Sequence, residues 1–371
     1  MIVQQLRVAV AGLAVGLLAA TPAPAPAADT IQLGAILPLT GPGGVIGVQE
    51  QRGIEFAVTR ANAAGGVGGR QVALLIEDNQ AKPDQSVLSF NKLVDLNHVP
   101  VVFTGYSGPT LAMAPLATRD KTLLVNAGAQ ADKLATASPY LINTLPGLKT
   151  EVGALSKYLV TQGKKSAAVL YENDAAGIAG RDDFRDTYTA AGGKLVGQEP
   201  VPFGETNFRP ALLKLAAAQP DVLFIVLTGN NAQVADQAKQ LAWKGEVAGT
   251  TFFADPSTMN NPAANGWIHT QLQIDAPPDL QSAFKQAYDA DMEFFANQYY
   301  NAAAIVLKCL DKVVAENKPL TGENIRQALF DIRRFQGLIP LEFTSNTATM
   351  EIDIDRIQDG KNVQVAKAVA E

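Results

Sequence analysis

Short apolar, β-branched runs alternate along this chain with longer stretches whose apolar residues recur at helical spacing. Residues 31–37, 72–76, 99–103 and 122–125 predict buried strands in the first part, and 166–171, 194–201, 221–227 and 250–253 in the second. Between them, 48–64, 84–96, 150–162, 180–191, 208–218 and 231–243 predict helices. Gly65-Gly66 and Gly192-Gly193 fall where helices must stop, because glycine adopts the left-handed conformation without a Cβ clash. Strands that are continuously apolar and alternate with helices imply parallel sheets covered on both faces, an α/β architecture.

The alternation comes in two blocks with a break near 143–147. After Pro277-Pro278 two long helices are expected near 280–291 and 299–315, with a third at 321–332. An apolar run at 339–343 and an alternating strand at 350–354 follow. In that strand Met350, Ile352 and Ile354 share one face, and Glu351, Asp353 and Asp355 the other, which is expected to be solvated.

The first residues do not fit the alternation. Arg7 is the only charge before Asp29, and it is followed by an apolar run to Ala20 and then by alternating Ala and Pro. A basic start, a short apolar stretch and small residues describe a cleaved secretory signal peptide over 1–28. The run is short of the roughly 20 apolar residues a spanning helix needs. No cysteine stands near the cleavage point, so no lipid anchor is expected there, and the compartment implied is the periplasm. The remaining ~340 residues exceed the size at which one hydrophobic core stops growing, so two domains are the expectation.

Composition narrows the chemistry. The net charge is −6 and the lysines and arginines form no run, which argues against a nucleic-acid or anionic-membrane surface. Cys309 is the only cysteine and sits among apolar residues at helical spacing, so a packed thiol is expected and no internal disulfide is possible. With His98 and His269 as the only histidines, no His/Cys metal set can be assembled at ligand spacing. Gly105-Tyr106-Ser107-Gly108 resembles a nucleophile elbow, but its second glycine comes one residue too early. Gly41, Gly43 and Gly47, between the first strand and the first helix, stand where a dinucleotide site would sit and keep an NAD(P)-dependent oxidoreductase as an alternative. Pro38 and Pro42 stiffen that loop where a pyrophosphate needs close backbone approach, and export leads away from nicotinamide cofactors. No catalytic residue, cofactor or metal is assigned.

Ile31-Gln32-Leu33-Gly34-Ala35-Ile36-Leu37-Pro38-Leu39-Thr40-Gly41-Pro42 resembles the opening of the periplasmic leucine/isoleucine/valine-binding proteins of ABC importers. The stretch Asn62-Ala63-Ala64-Gly65-Gly66, then Glu77-Asp78-Asn79-Gln80, and looser matches at Tyr171-Glu172-Asn173-Asp174, Ala254-Asp255 and Tyr300-Asn301-Ala302 extend the resemblance over residues 31–365. It implies the type I periplasmic binding fold: two Rossmann-like lobes with parallel sheets flanked by helices, joined by a hinge the chain crosses three times. Lobe 1 would comprise 30–146 and 275–340, and lobe 2 147–274 and 341–371. A small ligand would be trapped between the lobes by hinge closure and delivered to an ABC permease by a monomeric, non-catalytic protein.

The resemblance also places the site. Ser107 matches a serine that holds the ligand carboxylate, and Gly128, Ala129 and Gln130 match a loop whose amides do the same; Ser107 could equally cap the helix expected near Thr110. Tyr106 lies beside that serine. Ile46, Ala176 and Asn230 stand where the family carries aromatic residues, which implies a pocket altered in shape. Asp255 matches an acidic residue that meets an α-ammonium, although a turn before Pro256-Ser257 is an equal reading of it. An amino acid is the first expectation for the ligand, and an aromatic carboxylate the alternative.

Overall fold

The computed structural model describes residues 30–272, 276–338 and 340–369. The leader expected over 1–28 lies outside them. The chain runs β1 (Ile31–Leu37), α1 (Gly44–Ala63), β2 (Val72–Asp78), α2 (Pro83–Asn91), β3 (Val101–Thr104), α3 (Ser107–Asp120), β4 (Leu123–Asn126) and β5 (Leu141–Asn143). These strands form a parallel sheet in the order β2-β1-β3-β4-β5. The chain then gives α4 (Leu148–Thr161), β6 (Ser166–Glu172), α5 (Ala175–Ala190), β7 (Lys194–Val201), α6 (Arg209–Ala216), β8 (Val222–Val226), α7 (Asn231–Gln240), β9 (Glu246–Gly249), α8 (Pro256–Met259) and β10 (Ile268–Gln271). Strands β7-β6-β8-β9-β10 repeat the same parallel order in a second sheet.

The chain next adds α9 (Pro278–Tyr288), α10 (Phe294–Ala315) and α11 (Gly322–Ile332) to the first sheet, where α10 packs along α1. A small antiparallel sheet of β11 (Arg334–Gln336), β12 (Pro340–Phe343) and β13 (Ala348–Thr349) follows. Finally β14 (Glu351–Gln358) and β15 (Lys361–Val369) extend the second sheet antiparallel beyond β10. Each large sheet carries apolar clusters on both faces, which is why its strands read as unbroken apolar runs.

Several sequence expectations change. In the segment 341–349, expected in lobe 2, Leu341, Phe343 and Ala348 are buried in the cluster that holds residues of α10 and α11. The strand expected at 250–253 is a 3-10 turn, Thr251–Ala254, and the strand itself is the four residues before it. All of Thr250–Phe253 is buried where the chain leaves the sheet, and a short buried apolar run does not reveal its backbone conformation. Asp353 and Asp355 are 2% and 5% exposed, not solvated, because β14 is an inner strand between β10 and β15. Lys367, paired with Asp353 across β15, brings its ammonium to 4.0 Å from that carboxylate. Cys309 is buried, and burial pushes its thiol up to about 12.

Candidate functional site

In a sheet of order 2-1-3-4-5 the connections diverge at the carboxyl ends of the first and third strands, leaving a crevice there. Both sheets present this crevice to each other. From lobe 1 come the loops after β1, β3 and β4, and from lobe 2 those after β6, β8 and β9. The two sets border a narrow gap lined by Ile46, Glu50, Tyr106, Ser107, Gly128, Ala129, Gln130, Leu148, Ala176, Thr228, Phe252 and Phe295.

Two glycines set how closely the helices approach the gap. A Cβ on Gly47 would lie 2.1 Å from the Pro38 carbonyl oxygen, so only bare backbone lets α1 start against the β1 loop. A Cβ on Gly177 would lie 2.0 Å from the Glu172 carbonyl oxygen, with the same effect for α5. Asp174 caps α5, its carboxylate accepting from the Gly177 amide at 2.7 Å. The lobes touch across the gap. Tyr106 meets Phe203 edge to face at 5.9 Å between ring centres, Phe252 faces Phe295 at 6.3 Å, and a Cβ on Gly204 would stand 2.8 Å from Pro42.

The polar groups of the gap are few. The helix α3 begins at Ser107 itself, so that residue does not cap it; its hydroxyl instead accepts from the Ala131 amide at 3.3 Å and keeps its own proton to donate. The Gly128 and Ala129 amides both donate to Asn126 Oδ1, at 3.2 and 2.8 Å, so they are already engaged. Gln130 gives its side-chain amide to Glu151 and to the Pro146 carbonyl. Glu151, fully buried on α4, also accepts from the Thr251 amide and from Thr270 Oγ1 at 2.7 Å, which ties the first crossing to lobe 2. Burial raises its carboxyl although these three donors oppose the shift. Tyr106 sits at φ 61°, a left-handed value that a side chain rarely adopts, at the lip of the gap.

Two further acids stand here. Glu50 on α1 is 1% exposed, and burial pushes its carboxyl up to about 8, with the neighbouring Tyr299 hydroxyl acting in the opposite direction. Glu172, at the end of β6, is held up at about 7 by burial and then by Asp174, against bonds from the Thr228 and Gly204 amides at 3.1 and 3.3 Å.

Of the residues singled out from the sequence, Ser107, Gly128, Ala129, Gln130, Tyr106, Ile46 and Ala176 are brought together around the gap. Asn230 and Asp255 are not among its lining residues. Asn230 enters α7 in the left-handed conformation and donates to the Glu205 carbonyl at 2.9 Å; Thr228, two residues earlier, takes the cleft position. Asp255 caps α8, accepting from the Ser257 and Thr258 amides and both their hydroxyls, so its carboxylate is spent within its own turn. Sequence reasoning passed over Glu50, Leu148, Thr228, Phe252 and Phe295. Glu50 alone left a signal, since it lies in the stripe Gly47, Gly53, Ile54, Ala57 and Val58 that α1 buries.

Among the described residues the groups considered for the rival chemistry stand apart from one another. The glycine loop folds on itself, with the Gly44 and Gly47 amides bonded to the Gly41 and Gly43 carbonyls. His98 is exposed at a turn, while His269 is buried in β10 between the Thr270 carbonyl and Asn362. Among the described residues no group of three or more His, Cys, Asp or Glu could hold a metal, and no helix is long and apolar enough to cross a membrane. A wider groove along the hinge is bordered by exposed Lys149, Lys157 and Lys367, with the buried Gln130 and Asn143 also in its lining.

A sequence profile of the periplasmic binding proteins matches residues 30–361. The chain belongs to this family. It is 27% identical over 287 residues to the chemotactic signal transduction system substrate-binding protein BasB of Halobacterium salinarum, covering 71% of this chain and 69% of that protein. It is 25% identical over 316 residues to the leucine-, isoleucine-, valine-, threonine- and alanine-binding protein of Pseudomonas aeruginosa, covering 82% and 84%. Its fold matches that of a solute-binding protein of an ABC transporter from Rhodopseudomonas palustris BisB5, solved with 3,4-dihydroxybenzoic acid, with a TM-score of 0.82, 22% identity and coverage of 92% and 98%. The type I periplasmic binding fold expected from the sequence is the fold observed.

Proposed function

We propose that this periplasmic binding protein captures a small carboxylate between its lobes and hands it to an ABC permease in the membrane. The observation that carries the reading is the gap where both sheets' carboxyl ends meet, walled by Phe252, Phe295, Tyr106 and Leu148 and supplied with polar groups by Ser107, Gln130 and Thr228. Ligand sites combine apolar walls with a few converging polar groups in this way. An amino acid is the first candidate, in keeping with the relative from Pseudomonas aeruginosa, and an aromatic carboxylate the second. The protein would work as an exported monomer, released from the leader over 1–28, and would turn nothing over.

Thermal unfolding with amino acids, aromatic acids and NAD(P) tests this, since a ligand at 100 times its Kd adds about 2.7 kcal/mol of stability. A rise in Tm with one carboxylate class and none with NAD(P) is expected. A rise with NAD(P) alone would replace this reading with the oxidoreductase. Ser107→Ala should weaken the binding, and an unchanged Kd would take its hydroxyl out of the site. The relative from Halobacterium salinarum is named for chemotactic signalling, so the same capture could serve a signalling partner. Which membrane protein co-purifies with the ligand-loaded chain decides between them.

A further inference from the structure

We propose that Asp132 and Asp183 form a proton-sharing latch where the two lobes meet, so that acid favours closure and rising pH favours release. The latch regulates capture and depends on the reading above only for the movement of the lobes, whatever the ligand.

The helix α5 is what the second lobe presents to the first at this seam. Ala176 lines the gap, Ala179 packs against the apolar cluster that holds Ala129, Ala131 and Leu134, and Asp183 follows one turn later on the same helix face. There its carboxylate comes within hydrogen-bonding reach of Asp132, which opens the 3-10 turn Asp132–Thr136 after β4. Asp183 Oδ2 is buried and has no hydrogen-bond partner. Asp132 Oδ1 accepts from the Lys149 amide at 3.2 Å, and a Cβ on Gly147 would stand 2.9 Å from it, so bare backbone ahead of α4 leaves room for that carboxylate. Asp132 is thereby fixed against Asp183.

The charges around the pair do not cancel it. Arg181 and Arg185, on the same helix, are paired with Asp182 and Asp186 instead. Lys149 on α4 lowers the Asp183 carboxyl, while Asp186 on α5 raises it further. Two carboxylates this close, partly withdrawn from water, cannot both stay charged, so the closed seam keeps a proton between them. Burial and then Asp132 hold the Asp183 carboxyl up at about 7. With the lobes apart, Asp183 returns to water and to its ordinary value of 3.8. Closing therefore takes up a proton at any pH between the two values. The contribution of that proton to closure is complete below the open value and is lost as pH rises through the closed one. A ligand that binds only the closed lobes feels the same loss.

Titration of the purified chain with L-leucine and with benzoate at pH 5.5, 6.5, 7.5 and 8.5 tests this beside Asp183→Asn, whose amide can donate to Asp132 at every pH. The ratio of wild-type Kd to variant Kd should rise about thirtyfold from pH 5.5 to 8.5. Taking the ratio cancels what Glu172, another raised acid in the second lobe, contributes to both proteins. Asp132→Asn should reproduce the rise and the double variant add no further pH dependence, which a loss of packing alone would not do. A ratio that changes less than threefold, in variants with the wild-type circular dichroism, would overturn the latch. If neither acid binds, the choice of ligand has failed and the ligand-free chain decides. Fluorescence transfer between labels at the exposed positions Leu88→Cys on α2 and Leu213→Cys on α6 then reads the lobe separation, Cys309 being buried. The labels should draw together as pH falls in the wild type and not in Asp183→Asn; identical curves would overturn the inference.

Discussion

Replacing Glu50 by glutamine should change how stability depends on pH even with no ligand present. The carboxyl ionises near 4.5 when free and near 8 in its buried site, so between those values the folded chain holds a proton that the unfolded chain has lost. Stability from this residue is complete below the unfolded value and falls as pH rises through the window, by about 1.4 kcal/mol per pH unit. From pH 4.5 to pH 7 the loss amounts to about 3 kcal/mol, a large share of the 5–15 kcal/mol that holds a typical domain. Glutamine has nearly the same shape and no proton to lose, so its cost is one extra buried amide of about 1–3 kcal/mol that does not vary with pH.

Other raised carboxyls, Glu172 and Asp183, both near 7, slope the same way in both proteins, and the difference between the two profiles isolates Glu50. Urea unfolding of wild type and Glu50→Gln at pH 5, 6 and 7 reads that difference directly. The variant should gain relative stability with each unit, overtaking wild type by pH 7 where the amide cost is small. Parallel profiles would refute the reasoning, because they would mean that Glu50 ionises in the folded chain as easily as in water.

Three further outcomes follow from the same geometry. Asp255→Ala should lower stability by about 0.5–2 kcal/mol, the usual worth of a helix cap, and leave ligand Kd within twofold; a tenfold loss of affinity in titration would return Asp255 to the site. Gly47→Ala places a methyl 2.1 Å from the Pro38 carbonyl, so α1 must shift; a loss of about 1–3 kcal/mol in urea and weaker ligand binding are expected, and an unchanged melting temperature would count against the close approach. Glu151→Ala leaves Thr270, Gln130 and the Thr251 amide without their shared acceptor, and should cost about 3–5 kcal/mol by chemical denaturation; a loss below 1 kcal/mol would show that solvent reaches the hinge.

The sheets were legible because parallel strands covered on both faces must be apolar throughout. β1 occupies the predicted 31–37 and β7 the predicted 194–201. Where burial comes from something other than a strand, the same signal misleads, as in Thr250–Phe253, where Phe252 borders the gap from a turn and Phe253 packs against Trp267. Helix starts were read late for a related reason: α5 begins at Ala175, and α10 at Phe294 rather than 299, since residues facing the cleft or the hinge break the amphipathic pattern that marks the rest of each helix. Of the residues the family resemblance offered, Ser107 and Gly128–Gln130 border the gap, on loops whose register is pinned by adjacent strands, while Asn230 and Asp255 do not. Asn230 stands two residues from Thr228 and Asp255 three from Phe252, and only the folded loops show which neighbour turns inward. Glu50 was hidden differently, because a single acid in an apolar stripe does not reveal that Tyr299, Gly105 and Gly128 close around it.

Closure and the shape of the site are coupled through Tyr106. A side chain at φ 61° and ψ 129° is strained by roughly 1–3 kcal/mol and persists only where its surroundings over-determine it. Some of those surroundings belong to its own lobe: Gly43, whose Cβ position lies 3.0 Å from the Tyr106 hydroxyl, and the Thr110 amide that bonds its carbonyl at 3.0 Å. The edge contact with Phe203 does not, for Phe203 comes from the opposite lobe after β7. Separating the lobes removes that support while leaving the strain. The loop between β3 and α3, which carries Ser107 into the gap, thus has its full set of constraints only when the lobes are together. The same step that walls off the gap holds in place the hydroxyl proposed to meet the ligand.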